Sequence, residues 1–255
     1  MQLTLDPTWL IGFLLAFVRS AAWLAVVPPF ANVQNLPRMV LVGVAGGFAI
    51  LSAPLVAAAG VPTTTPALIG AIVMQILTGV ALGFSVRILI GTIASAGGLI
   101  DLLGGITPTP EMDPLSANQM PIMGGLYDQI AIVALFASNG ELLLVHGFET
   151  SFATSGVLAG GGGDLVKVLV SDLATFFTAS MEIAAPIMAV LFCTQISLAL
   201  LAKAAPQLNA WWLGLPLQIL LSLLMTAFAI RVLPGYLTQL VDRALQDAHL
   251  ILGLH

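Results

Sequence analysis

The chain has 255 residues, 59% of them hydrophobic and only 7% charged, with a formal net charge of −5. A soluble domain carries about 25% charged residues, so this chain cannot clothe itself in polar groups and must face lipid, other apolar chains, or both. The acidic balance excludes a nucleic-acid binder, which needs clustered Lys and Arg. The single cysteine, Cys193, excludes an internal disulfide and a cysteine-cluster metal site; inside an apolar run, it is expected to be a small buried hydrophobe.

A bilayer-crossing helix needs roughly 20 mostly apolar residues. The first residues, MQLTLDPTWL, lack a basic n-region, and the apolar run after them is too long for a signal peptide, so this segment is expected to be retained. It covers residues 9–30 and ends at Pro28 and Pro29. Arg19 stands in its middle. A charge at a helix centre costs roughly 2.5–3.5 kcal/mol on insertion scales, so Arg19 needs a carboxylate, carbonyls or a wet cavity. The second segment covers residues 39–59 and stops at Gly60 and Pro62; the third covers residues 67–94 and carries Arg87 toward its end. Gly43 with Gly47, and Gly79 with Gly83, have the four-residue spacing that lets helix backbones approach closely, and both pairs read as packing.

Residues 97–125, GGLIDLLGGITPTPEMDPLSANQMPIMGG, break the pattern with four prolines, six glycines and three acids. Pro108, Pro110, Pro114 and Pro121 forbid a continuous helix, yet Ile106, Met112, Leu115, Met120 and Met123 are apolar. Non-helical chain at membrane depth is tolerated only inside protein or beside water. The stretch is either a re-entrant element within an assembly, its methionines filling irregular gaps, or an ordinary external loop.

The fourth segment covers residues 122–145. A glycine link at 160–163 divides the chain into a four-helix part, residues 1–160, and a two-helix part, residues 165–255. The fifth segment, 165–201, would be about 55 Å long as one helix, against a hydrocarbon core of about 30 Å. It either breaks near Glu182 and Pro186 or stands partly outside the bilayer. The sixth covers residues 211–232 and ends at Pro234 and Gly235. In the final stretch Leu237, Leu240, Val241, Ala244, Leu245 and Ala248 share one helical face, with Asp242, Arg243, Gln246 and Asp247 on the other. This amphipathic helix is expected at a membrane interface or against a partner chain. Arg38 and Lys203 fall in loops on one side of six spans, which favours the cytoplasm for those loops.

Arg19, Arg87 and Glu182 either line a conduit or pair within a bundle or across a subunit contact; pairing is the commoner use of such groups. Residues 160–163 lack the Lys-Ser/Thr of a phosphate loop. His146 and Glu149 have no third ligand nearby, so no metal site is expected. No catalytic signature is present, and neither an enzyme nor a cofactor is expected.

The motif GLID…MDPLSANQMP is similar to the mid-chain signature of the FliR family of type III export-gate proteins, which serve bacterial flagella and, as SctT/SpaR-type counterparts, injectisomes. Three further blocks agree in order: PPFANVQNLPR (Pro28, Pro29, Phe30, Pro37, Arg38), the Asn139-Gly140 turn in FASNGELLL, and KAAPQLNAWWLGLPLQ (Ala205 to Asn209, Gly214, Pro216). The resemblance spans nearly the whole chain. It implies an all-α, membrane-associated set of helical hairpins: a FliP-like four-helix part, a FliQ-like two-helix part with a C-terminal amphipathic helix, and a re-entrant plug at residues 104–121.

The resemblance further implies a channel subunit, required for flagellum assembly, that assembles with FliP-like and FliQ-like sister subunits and with FlhB-like and FlhA-like components. It would pass unfolded export substrates across the bacterial inner membrane at the flagellar basal body. The plug would comprise Ile106, Pro108, Pro110, Met112, Asp113 and Pro114, and the inter-helix loop Lys203, Pro206, Gln207 and Asn209. Pro108, Glu111 and Leu103 stand where family members carry bulky aromatics and a Gln, so the seal would rest on Ile106 and Met112. IDLLGG and DPLSANQ lean toward injectisome members, whereas the first segment leans flagellar. The alternatives are an injectisome gate subunit or, from another class, a secondary transporter, for which broken helices speak and the lack of a repeat between halves speaks against.

Overall fold

The computed structural model describes residues 7–28, 30, 37–105, 121–153, 162–205 and 210–252. Among these, every regular element is helical: α1 (Pro7–Leu24), α2 (Arg38–Ala58), α3 (Thr65–Gly104), α4 (Ile122–Ala137), α5 (Gly140–Thr150), a 3-10 turn at Ser151–Ala153, α6 (Gly162–Ala204), α7 (Ala210–Ala229) and α8 (Leu233–Ile251). The all-α expectation holds. Among the described residues five helices are long and apolar enough to cross a membrane, and α4 with α5 makes a sixth if the bent pair counts as one span.

Helix boundaries follow local chemistry. α1 opens on Pro7, whose fixed φ suits the first helical position. α3 runs for 40 residues and is followed by Gly105 at φ 60°, in the left-handed region that glycine adopts without steric cost. At 1.5 Å per residue α3 is about 60 Å long, extending ten residues past the expected end at Ala94. The fourth segment is not one helix: α4 and α5 meet at 76°. The break lies at Asn139, at φ 55° and ψ 25°, just before Gly140, because Asn tolerates the left-handed conformation better than other side-chain-bearing residues. α6 does not break near Glu182 and Pro186; it runs unbroken for 43 residues with Pro186 inside it.

The chain forms two compact units, each assembled from segments distant in sequence. One contains Met1–Leu89, Asn139–Leu173 and Leu240–His255. In it α1 lies on α2 at Gly12, where a Cβ would stand 2.9 Å from the Ala53 carbonyl oxygen, and on α3 at Gly79, where it would stand 2.5 Å from the Arg19 carbonyl oxygen. Gly83 meets the Trp23 carbonyl similarly. Gly79 and Gly83 are thus a packing pair, but Gly43 and Gly47 face open space. The unit's centre is an aromatic cluster in which Trp23 stacks on Phe148 at 4.3 Å, with Phe48 and Phe152 edge-on to Phe148. Ala244, Leu245 and Ala248 of α8 line a small gap with Trp23, Leu82 and Phe148. The apolar face of α8 therefore lies on its own chain. Asp247, placed on the polar face by its neighbours in sequence, is buried; it follows Leu240 and Ala244 at helical spacing and shares their side.

The other unit contains Ile90–Ser138 and Ala174–Gln239. Its core includes Ile93, Ile100, Tyr127, Ala131, Leu135, Ile183, Ala184, Ile187 and Leu191. The Tyr127 hydroxyl lies 3.4 Å from that of Thr226, a polar contact between α4 and α7. Much of α7 stays uncovered: Trp212, Leu213, Leu220, Leu223, Leu224 and Phe228 are exposed. Cys193 is exposed as well, contrary to the expectation that it is buried.

Candidate functional site

Residues 106–120, including Ile106, Pro108, Pro110, Met112, Asp113 and Pro114, lie outside the described residues, as do Pro206, Gln207 and Asn209. The helix ends that frame residues 106–120 are described, and they carry a set of polar contacts. α4 begins after Pro121, which has no side-chain cap to offer. Asp101, on the last turn of α3 and fully buried, supplies one from outside the helix. Its Oδ2 accepts from the backbone N–H of Met123 at 2.7 Å and of Gly124 at 3.2 Å. These donors sit at the second and third positions of α4, where a carboxylate satisfies otherwise orphaned N–H groups and meets the positive end of the helix dipole.

Two glycines permit that approach. A Cβ on Gly97 would stand 2.5 Å from the Met123 carbonyl oxygen, and one on Gly124 would stand 3.2 Å from Pro121 Cβ and 3.4 Å from the Ala94 carbonyl oxygen. The end of α3 is held from a second direction, since Gln195 of α6 donates its side-chain amide to the Leu103 carbonyl. Gly105, Gln195 and Gln218 help to line a cavity of about 400 Å³ beside this end of α3.

Arg19 is buried, as a mid-helix charge requires. Its Nε donates to Gln75 Oε1 on α3, and its Nη1 to the carbonyl and hydroxyl oxygens of Ser151. The guanidinium carbon lies 4.7 Å from the centre of the Phe152 ring. Arg19 forms no ion pair with a described residue; it sits instead at the negative end of α5 and against an aromatic face, both favourable for a cation. Arg87, Glu182 and Lys203 are exposed on this chain.

Sequence reasoning missed a third polar site. Asp172 of α6 and Asp247 of α8 are both buried, and Arg243 donates to Ser171 Oγ at 3.0 Å beside them. Burial first, then the neighbouring Asp172 carboxylate, push the Asp247 carboxyl up to about 7, against a smaller downward pull from Arg243. The register of α8 was the signal that could have found it.

The chain is similar to known proteins over most of its length. The family described as Bacterial export proteins, family 1, matches residues 10–244. The chain is 27% identical over 216 residues to the flagellar biosynthetic protein FliR of Escherichia coli strain K12, a match covering 83% of this chain and 81% of that protein. It is 25% identical over 226 residues to the protein of the same description from Bacillus subtilis strain 168, with 87% of each chain covered. It is 23% identical over 153 residues to the surface presentation of antigens protein SpaR of Shigella sonnei, with 58% of each covered.

Proposed function

This chain belongs to family 1 of the bacterial export proteins, the FliR family, and on that premise we propose that it is a pore-forming subunit of the flagellar type III export gate. The observation that carries the reading is the family match over residues 10–244, which takes in the whole GLID…MDPLSANQMP stretch. The long apolar helices support a multi-pass membrane location, which we assign to the bacterial inner membrane at the flagellar basal body. The flagellar relatives match over a larger share of their length than SpaR does, which favours the flagellar over the injectisome assignment. The role is structural and conductive, with no chemistry and no cofactor.

Residues 1–160 form the FliP-like part and residues 165–255 the FliQ-like part. The chain joins FliP-like and FliQ-like sisters and FlhA-like and FlhB-like components, and unfolded export substrates pass through the pore they enclose. Residues 104–121 restrict that pore when no substrate is present; Ile106, Pro108, Pro110, Met112, Asp113 and Pro114 are its plug residues, with Ile106 and Met112 as the apolar seal. The exposure of Arg87 and Glu182 on this chain supports contacts with neighbouring subunits; Lys203, expected in the inter-helix loop but lying in the last turn of α6, is a further such contact together with Pro206, Gln207 and Asn209. Deleting residues 106–120 tests the closing role. The assembled gate should then conduct ions at rest; an assembled gate that stays as tight as the parent would overturn it.

A further inference from the structure

We infer that Asp101 is a positioning residue for the closed gate: from the last turn of α3 it caps α4 and so sets how the two helix ends on either side of residues 106–120 meet. The inference rests on the reading of those residues as the closing element, and it concerns the joint beneath them. α4 starts on a proline that cannot cap its own helix. The cap comes instead from a side chain more than twenty residues earlier, reaching two N–H groups at once. Such a bond fixes the relation between two elements as well as satisfying donors.

The surroundings are built for the same contact. Gly97 and Gly124 have no room for a Cβ without moving backbone or Pro121. Gln195 holds the Leu103 carbonyl two residues before the end of α3 bends at Gly105. Asp101 Oδ1 is buried and has no hydrogen-bond partner among the described residues. One oxygen therefore does the capping, and an amide oxygen in its place keeps both bonds.

That asymmetry gives the test. The tagged gate, co-expressed with its sister subunits, is purified as the parent, Asp101→Ala, Asp101→Asn and a deletion of residues 106–120, and resting conductance is measured in planar bilayers. The expected result is that Asp101→Ala assembles but leaks several-fold above the parent, while Asp101→Asn stays close to the parent. A tight Asp101→Ala gate, or an Asp101→Asn gate that leaks as much as the alanine variant, overturns the inference. Should Asp101→Ala fail to assemble, Gly124→Ala crowds the same joint more mildly and is expected to leak to an intermediate degree; parental tightness in that variant counts against the positioning role. The deletion separates the two ideas. If it leaks while the Asp101 variants are tight, only the positioning role fails; if it does not leak, the closing role fails and takes the inference with it.

Discussion

Arg19 shows how a full charge is accommodated inside an apolar helix without a carboxylate. Its fork ties α1 to Gln75 of α3 and to the Ser151 carbonyl beyond α5, so three elements depend on one side chain. Arg19→Met should lower the stability of the detergent-solubilised chain by about 2–4 kcal/mol, because it strands buried acceptors and removes the cation at a helix C-terminus. Arg19→Lys should recover only part of this, since an ammonium cannot reproduce the planar fork. Thermal unfolding of the two variants checks both statements, and a parental Tm for Arg19→Met would refute them. Asp247 makes a prediction of opposite character. Its carboxyl rises from the ordinary 3.8 to about 7, so between those values the folded chain holds a proton that the unfolded chain has released. Stability is therefore fullest below the lower value, falls as pH rises through the window, and levels off above the upper one. Asp247→Asn should flatten that dependence and raise stability at alkaline pH, as read from unfolding midpoints across the range. An unchanged pH slope in the variant would show that the Asp172 and Asp247 pair is not its source.

Among elements, the two small-residue pairs separate what a motif implies from what it does. Gly79 lies against the Arg19 carbonyl, whereas Gly43 and Gly47 meet nothing within 4 Å. Gly79→Ala should cost about 1–3 kcal/mol through overpacking of α1 on α3. Gly43→Ala should leave the isolated chain unchanged or more stable by about 0.5–1 kcal/mol, as a helical Gly→Ala change does in open space. Tm shifts of equal size and sign in the two variants would contradict this. From sequence the pairs look alike, because spacing records which face a residue occupies but not whether another helix lies over it. Hydrophobic runs placed most helices within a few residues, and Asn139-Gly140 was visible as a turn, though not that it would bend the fourth segment by 76°. Pro186 overstated the chance of a break, since one missing N–H is tolerated in a long apolar helix that continues on both sides. The Asp101 cap was illegible for a different reason: a capping residue is sought next to its helix, and this one comes from the preceding helix. Asp247 was legible from its spacing to Leu240 and Ala244, but its charge argued for the wrong face.

For the whole molecule, the governing fact is a surface that one chain cannot satisfy. Trp212, Leu220 and Phe228 on α7, Phe177 and Leu200 on α6, and Leu51 and Leu55 on α2 are all exposed. Lipid covers some apolar surface of this kind. Helices of 40 and 43 residues, however, are about twice the length that a hydrocarbon core of about 30 Å accommodates. The excess length calls for surroundings other than lipid, which agrees with the place proposed for the chain among other export components. The composition made the need for lipid or neighbouring chains legible from the start, because so low a charge content cannot clothe the chain in polar groups. The most direct measurement is native mass spectrometry of the tagged protein, co-expressed with its sister genes and released in mild detergent. The expected particle contains this chain together with FliP-like and FliQ-like chains, and a stable lone monomer that recruits neither would contradict the account.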